Sequence, residues 1–221
     1  MNVAQAIRNR KSTRAFLPQM VEREKIVRLL DTARHSPSGA NTQPWQVAVV
    51  SGRQKQALQQ QMIEAFERGE RDCQDYRYYP EKWLPPFNGR RTSCGKQLYD
   101  SLQIERQDRK RRLEQWAANY RAFDAPVMLL FFIDSSLATG SYIDYGMFLQ
   151  SLMLSAVEEG LATCPQAALA EYPDLIRTFL GYPDTVFVVC GLALGYEDPT
   201  APVNQYRTPR EEVATFTRFF E

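Results

Sequence analysis

Residues 125–134 read A-P-V-M-L-L-F-F-I-D, apolar at nearly every position. A strand with one wet face alternates apolar and polar side chains, and this stretch does not. It reads as a strand buried on both faces, so other elements must cover each side. T-V-F-V-V-C-G-L-A-L-G-Y at 185–196 reads the same way, and W-Q-V-A-V-V-S-G at 45–52 is a strand ending at Ser51-Gly52. The three strands lie far apart in sequence, with helical patterns between them. The expected architecture is α+β: a small mixed sheet with helices on both faces.

The helices are read from apolar spacing and end signals. The first runs from Asn2, a possible N-cap, to about Asn9. The second spans about Glu22–Arg34, with Ile26, Leu29, Leu30 and Ala33 on one stripe. Others are expected over 53–68, 93–102, 106–120 and 173–180, the last closed by Gly181. Residues 142–159 form a helix apolar all round, which belongs at the centre of the protein or in a subunit interface. Residues 69–92, rich in aromatics and prolines, are expected to be irregular.

The 221 residues suffice for a sizeable core, and a net charge of +1 gives no global pull toward nucleic acid or a membrane. Local charge clusters must therefore carry any anion binding. The basic run at 106–112 is better explained as a solvated helix face than as a nucleic-acid contact, since Asp108 and Glu114 dilute it. No run of about 18 apolar residues is present, and the start lacks the apolar core of a signal peptide. Four dispersed cysteines make no C-x-x-C pair and read as reduced thiols of a cytoplasmic protein. His35 is the single histidine, so a multi-histidine metal site is excluded. Hard chemistry would then belong to a bound organic cofactor. That cofactor is not expected on a dinucleotide fingerprint or P-loop, because neither motif is present.

Four segments carry unusual chemistry. Arg10-Lys11-Ser12-Thr13-Arg14 gathers three cations and two hydroxyls, suited to a phosphate or to a solvated turn. Asn204 to Arg210, N-Q-Y-R-T-P-R, adds Arg207 and Arg210, which could share that anion or lie in an exposed tail. S-P-S-G-A-N-T-Q-P-W at 36–45 offers Ser38, Asn41 and Gln43 toward a polar ring edge, more amides than a connection needs. C-P-Q-A-A at 164–168 has small residues that admit a flat ligand close to the backbone, or make a tight core turn.

Together with Y-G-M-F-L-Q in the central helix and G-L-A-T-C-P-Q-A-A after it, these segments resemble the FMN-dependent nitroreductase family over essentially the whole chain. The neutral turn resembles the nitrobenzoate-reductase-like subgroup. The resemblance implies one FMN-binding domain over 1–221 in an intertwined homodimer with FMN at the interface. It implies that Arg10, Lys11, Ser12 and Arg14 hold the phosphate and ribityl chain, completed by Arg207 and Arg210. Pro37, Ser38 and Asn41, supported by Gln43, would reach the partner's flavin. Pro165, Gln166, Ala167 and Ala168 would pass beside the ring, with a backbone N–H toward its N5. The implied activity is ping-pong transfer from NADH or NADPH to a nitroaromatic, quinone or similar flat acceptor. Related chemistries on the same fold are enone or aldehyde reduction, dehalogenation and flavin fragmentation, and a non-catalytic flavin-binding protein is a further reading. The insert at about 69–123 is lid-like. Its Tyr76, Tyr78, Tyr79, Trp83 and Phe87 either line a substrate pocket over the flavin or form a satellite apolar cluster.

Overall fold

The computed structural model describes residues 1–221. Its sheet has four strands in the order β1-β2-β4-β3. These are β1 (Gln46–Ser51), β2 (Val127–Asp134), β3 (Ala162–Gln166) and β4 (Val186–Gly195). Every pair in the sheet is antiparallel, where the sequence leads one to expect a mixed sheet. The reason is that a strand buried on both faces shows the same apolar run whichever way its neighbours point. The parallel contact in this region is an isolated bridge from Ser12 to Thr163, at the outer edge of β3.

β3 itself is the element that sequence reading takes for a turn, because Pro165 interrupts it. Thr163 accepts from the Thr13 N–H at 3.0 Å, on the side away from β4. Pro165 has the same parity, so its missing N–H would also have pointed outward. No bond to β4 is lost, which is how an edge strand tolerates proline. β4 carries a bulge: Phe131 pairs with Cys190 and Phe132 with Val188, leaving Val189 extra.

β2 sends alternate side chains to two cores. Val127, Leu129, Phe131 and Ile133 meet α2 (Arg23–Ala33) and α6 (Gly140–Glu158) through Leu29, Ala33, Tyr145, Phe148 and Leu152. Met128, Leu130 and Phe132 meet α3 (Gly52–Glu67) and α7 (Pro173–Leu180) through Leu58, Met62, Ala65 and Ile176. Helices thus cover both faces. Each fully buried Leu or Phe contributes about 1.5–3 kcal/mol relative to exposure. A change such as Leu130→Ala costs about 2–5 kcal/mol. Tyr145 joins β1 to β2 from the α6 side, its hydroxyl 2.9 Å from the Gln46 carbonyl and 3.0 Å from that of Phe132. Gly191 is required in β4, because a Cβ there would overlap Leu169, which follows β3.

α1 (Val3–Asn9) opens with a capping box between Asn2 and Gln5. α4 (Phe87–Ser101) starts before the expected 93, directly after Pro85-Pro86, with Pro86 as its N-cap. α4 and α5 (Arg109–Ala117) bury no residue, and α8 is the short helix Val213–Phe216. The first part of the insert is stitched down. Asp72 accepts from the Leu175 N–H at 3.0 Å, and Asp75 accepts from the Val188 N–H at 2.7 Å. No helix is long and apolar enough to cross a membrane.

Candidate functional site

α1 ends at Asn9, and Arg10 leaves it with an extended ψ of 130°. The chain then runs along β3, held by the Ser12–Thr163 bridge. The C-terminal tail returns over this segment through Asn204, which is buried. The Asn204 carboxamide accepts from the Arg14 N–H at 2.9 Å and donates to the Ala15 and Asp198 carbonyls, each at 2.9 Å. Two segments almost two hundred residues apart in sequence therefore form one wall.

Between them lies a cavity of about 130 Å³, lined by Arg10, Lys11, Ser12, Arg14, Cys94, Tyr206, Arg207, Thr208 and Arg210. All six residues assigned to the phosphate from sequence meet here. Five of the nine are cations, and none is acidic. The cations are not equivalent. Lys11 is paired with Glu197 at 2.6 Å and also donates to the Asn204 carbonyl at 2.6 Å. Arg207 donates to the carbonyls of Arg8 at 2.6 Å, Asn9, and Arg10 at 3.2 Å. It caps the C-terminus of α1, where orphan carbonyls and the helix dipole favour a cation. Arg14 lies 3.3 Å from the Ser12 carbonyl and 3.4 Å from the Tyr206 hydroxyl, with its guanidinium 5.8 Å above the Phe123 ring. Arg210 bonds only within its own turn, to Thr208 and Pro209. Burial, followed by the charges of Arg210 and Arg207, pushes the Arg10 pKa below its usual value. Arg10, Arg14 and Arg210, crowded together with no carboxylate partner of their own, are suited to a multiply charged anion.

The end of β3 and the 3-10 helix that follows it, Ala167–Glu171, stand next to this wall. Pro165 is exposed, Ala167 and Ala168 are half-buried, and Gln166 is buried. The Gln166 side chain turns inward to Asn119 rather than out toward the turn's open side. Cys164, also buried, has its thiol pKa raised by desolvation.

The loop at 36–45 sits elsewhere. Pro37, Asn41 and Gln43 are exposed, Ser38 is half-buried, and none of them lines the cavity. It is nevertheless a built loop. Ser36 Oγ is 2.9 Å from Ser151 Oγ, Asp144 accepts from the Gly39 N–H at 3.2 Å, and Ser38 Oγ accepts from the Gln43 N–H at 3.0 Å. Ala40, Asn41 and Gln43 hold φ of 50°, 56° and 48°. Non-glycine residues in that region carry strain of order 1 kcal/mol each, which a working loop commonly stores.

The aromatic residues of the insert do not line the cavity either. Tyr76 instead pins the insert to the sheet. Its hydroxyl donates to the Val189 carbonyl at the β4 bulge, 2.5 Å away, and its ring packs on Tyr142. Tyr79 and Trp83 pack together at 5.6 Å, with Arg91 over Trp83 at 5.4 Å. Phe87 is exposed beneath Arg90. Sequence reasoning leaves out Asn204, Tyr206, Thr208 and Cys94. The first three stand inside the tail segment already singled out, whereas nothing in the run around Cys94 signals that α4 lines the cavity.

The nitroreductase family model matches residues 7–196. A 4-nitrobenzoate reductase of Pseudomonas putida is 39% identical over 213 residues, covering 96% of this chain and 93% of that one. A nitrobenzene nitroreductase of Ectopseudomonas oleovorans is 36% identical, covering 96% and 94%. Among solved structures, the FMN and NADPH-dependent nitroreductase NfnB of Sphigopyxis sp. strain HMH superposes with a TM-score of 0.96 at 37% identity, over 100% of both chains. NfnB of Mycobacterium smegmatis, solved in complex with NADPH, gives a TM-score of 0.94 at 32% identity, also over 100% of both. The matched segment contains the basic run, the 36–45 loop and the turn after β3, and the chain belongs to the nitroreductase family.

Proposed function

We propose that this protein is an FMN-dependent NAD(P)H oxidoreductase that reduces nitroaromatics, quinones or similar flat acceptors. The observation that carries the reading is the cavity with five cations and no acid among its lining residues. An FMN phosphate brings roughly −1.5 to −2 charges. Arg10, Arg14 and Arg210 meet it directly, with the Ser12 hydroxyl beside them. Lys11, already neutralised by Glu197, contributes less, and Arg207 keeps the end of α1 in place. Pro165, Gln166, Ala167 and Ala168 form the wall beside the ring. Bound there, FMN would supply the hydride and electron transfer between a nicotinamide and the acceptor; the side chains bind, orient and exclude water.

The working unit in this reading is a homodimer. Pro37, Ser38, Asn41 and Gln43 lie away from their own cavity and would meet the partner's flavin. Support comes from apolar surface that a single chain leaves open, including Val3 at 71%, Ile7 at 50% and Ile143 at 69% exposure. We assign residues 1–221 to one FMN-binding domain of a cytoplasmic protein, with the lid-like part of the insert beginning after the anchored Tyr76. Tyr79, Trp83 and Phe87 stay with that lid. NADPH is the donor to try first, because one NfnB relative is NADPH-dependent and another was solved in complex with NADPH.

The test is direct. Purified protein should be yellow and dimeric in sedimentation. Anaerobic NADPH or NADH should bleach it, and a nitrobenzoate should restore the colour. Protein that takes up no FMN overturns the reading.

A further inference from the structure

Gln166 is 3% exposed, yet it carries a carboxamide. Its Nε2 donates to the Asn119 carbonyl at 2.8 Å and lies 3.3 Å from Asn119 Oδ1. Its Oε1 is buried with no protein partner. If only volume mattered here, an apolar side chain would serve with no buried polar atom left unpaired. The directional bond to Asn119 is therefore the feature that needs explaining.

Asn119 opens a strained loop. Ala122, Phe123 and Asp124 hold φ of 52°, 53° and 60°. The loop is held on its far side by the buried Lys55 ammonium, which donates to the Arg121 carbonyl at 3.0 Å. It reaches the site at two points, since Phe123 also lies under the Arg14 guanidinium. Beyond Gln166 the chain leaves the sheet, so Gln166 opposite Gly191 is the last paired position of β3. The segment is then anchored by Leu169, packed over Gly191, and the side-chain bond from Gln166 to Asn119 holds its first residue.

We propose that Gln166 is a positioning residue. Held by Asn119, it fixes the orientation of the backbone amides at 167 and 168, just beyond the last paired position, and so tunes the balance between oxidised and reduced FMN. This rests on the reading that the turn lies beside the flavin ring. Backbone dipoles held in one orientation act on a ring whose charge changes, and they lose that effect when free to rotate.

The test equilibrates the FMN-loaded protein anaerobically with a reference dye of known potential. Gln166→Met should still take up FMN and should move the dye equilibrium by about threefold or more, which is the same change in the ratio of the Kd values for reduced and oxidised FMN. Gln166→Glu should show the shift at about pH 8 and approach wild type near pH 6, compared at each pH, because only the protonated acid can donate to the Asn119 carbonyl. Asn119→Ala removes the longer contact alone and should give a smaller shift in the same direction. Variants that bind FMN and equilibrate like wild type overturn the inference and leave the functional reading intact. Wild-type protein that binds no FMN overturns the functional reading, and this inference with it.

Discussion

Two arginine-centred regions of this molecule use the same side chain in opposite ways. Arg177 and Asp75 are each 7% exposed and meet at 2.6 Å. Arg177 also donates to the Val186 carbonyl at 3.0 Å and pairs with Asp174. Burial draws its pKa down, but Asp75 and Asp174 more than offset that. In the cavity, Arg10, Arg14 and Arg210 have no carboxylate partner. A buried charge held by carboxylates through both terminal nitrogens ties elements together, here the insert, α7 and β4. A group of charges left unpaired is a cost in the free protein that a ligand can relieve.

The largest effect should come from the paired region. Arg177→Met leaves Asp75 buried and unpaired, so it should cost about 3–5 kcal/mol. Thermal unfolding should show a fall in Tm of roughly 10 °C. Arg10→Ala should do the reverse. FMN Kd should rise about tenfold to a hundredfold in a fluorescence titration, as expected for a lost charge-assisted bond, with the apo Tm unchanged or slightly raised. If Arg10→Ala destabilises the apo protein as Arg177→Met does, the contrast between the regions is wrong.

Asn41→Ala tests the partner's share and should raise FMN Kd about fivefold, leaving the phosphate cluster untouched. An obligate monomer that binds FMN tightly would remove that loop from the site. Lys11→Met sharpens the contrast within the cavity: because Glu197 already holds Lys11, FMN Kd should change less than about threefold. A rise as large as that of Arg10→Ala would mean that Lys11 leaves Glu197 for the ligand.

The smallest effect is a labelling rate. Burial pushes the Cys190 thiol up to about 12 and raises Cys164 as well, so both should resist alkylation near pH 8. Cys73 and Cys94 are exposed and should react. FMN should slow Cys94 a few-fold and leave Cys73 unchanged, because Cys94 lines the cavity. Equal protection of both would place the ligand elsewhere.

The elements whose signals are local could be read from the residues alone. The three long apolar strands, the central helix α6 and the helix Pro173–Leu180 with Gly181 in the left-handed region are readable from composition, spacing and end residues. The membership of the basic cluster was legible too, because cations at 10–14 and 207–210 stand in two short runs. How those groups are used depends on which residues folding brings beside them. Strand direction is absent from a run buried on both faces, and β3 is hidden because a proline is harmless only at an edge facing away from β4. Whether a cation is free depends on a partner far along the chain: Glu197 for Lys11, the end of α1 for Arg207. The same holds for Gln166 and Tyr76, whose neighbours in sequence offer them no bond and which find Asn119 and the Val189 carbonyl only once the sheet is assembled. Charge and polarity are properties of a residue, whereas their satisfaction belongs to pairs that folding brings together.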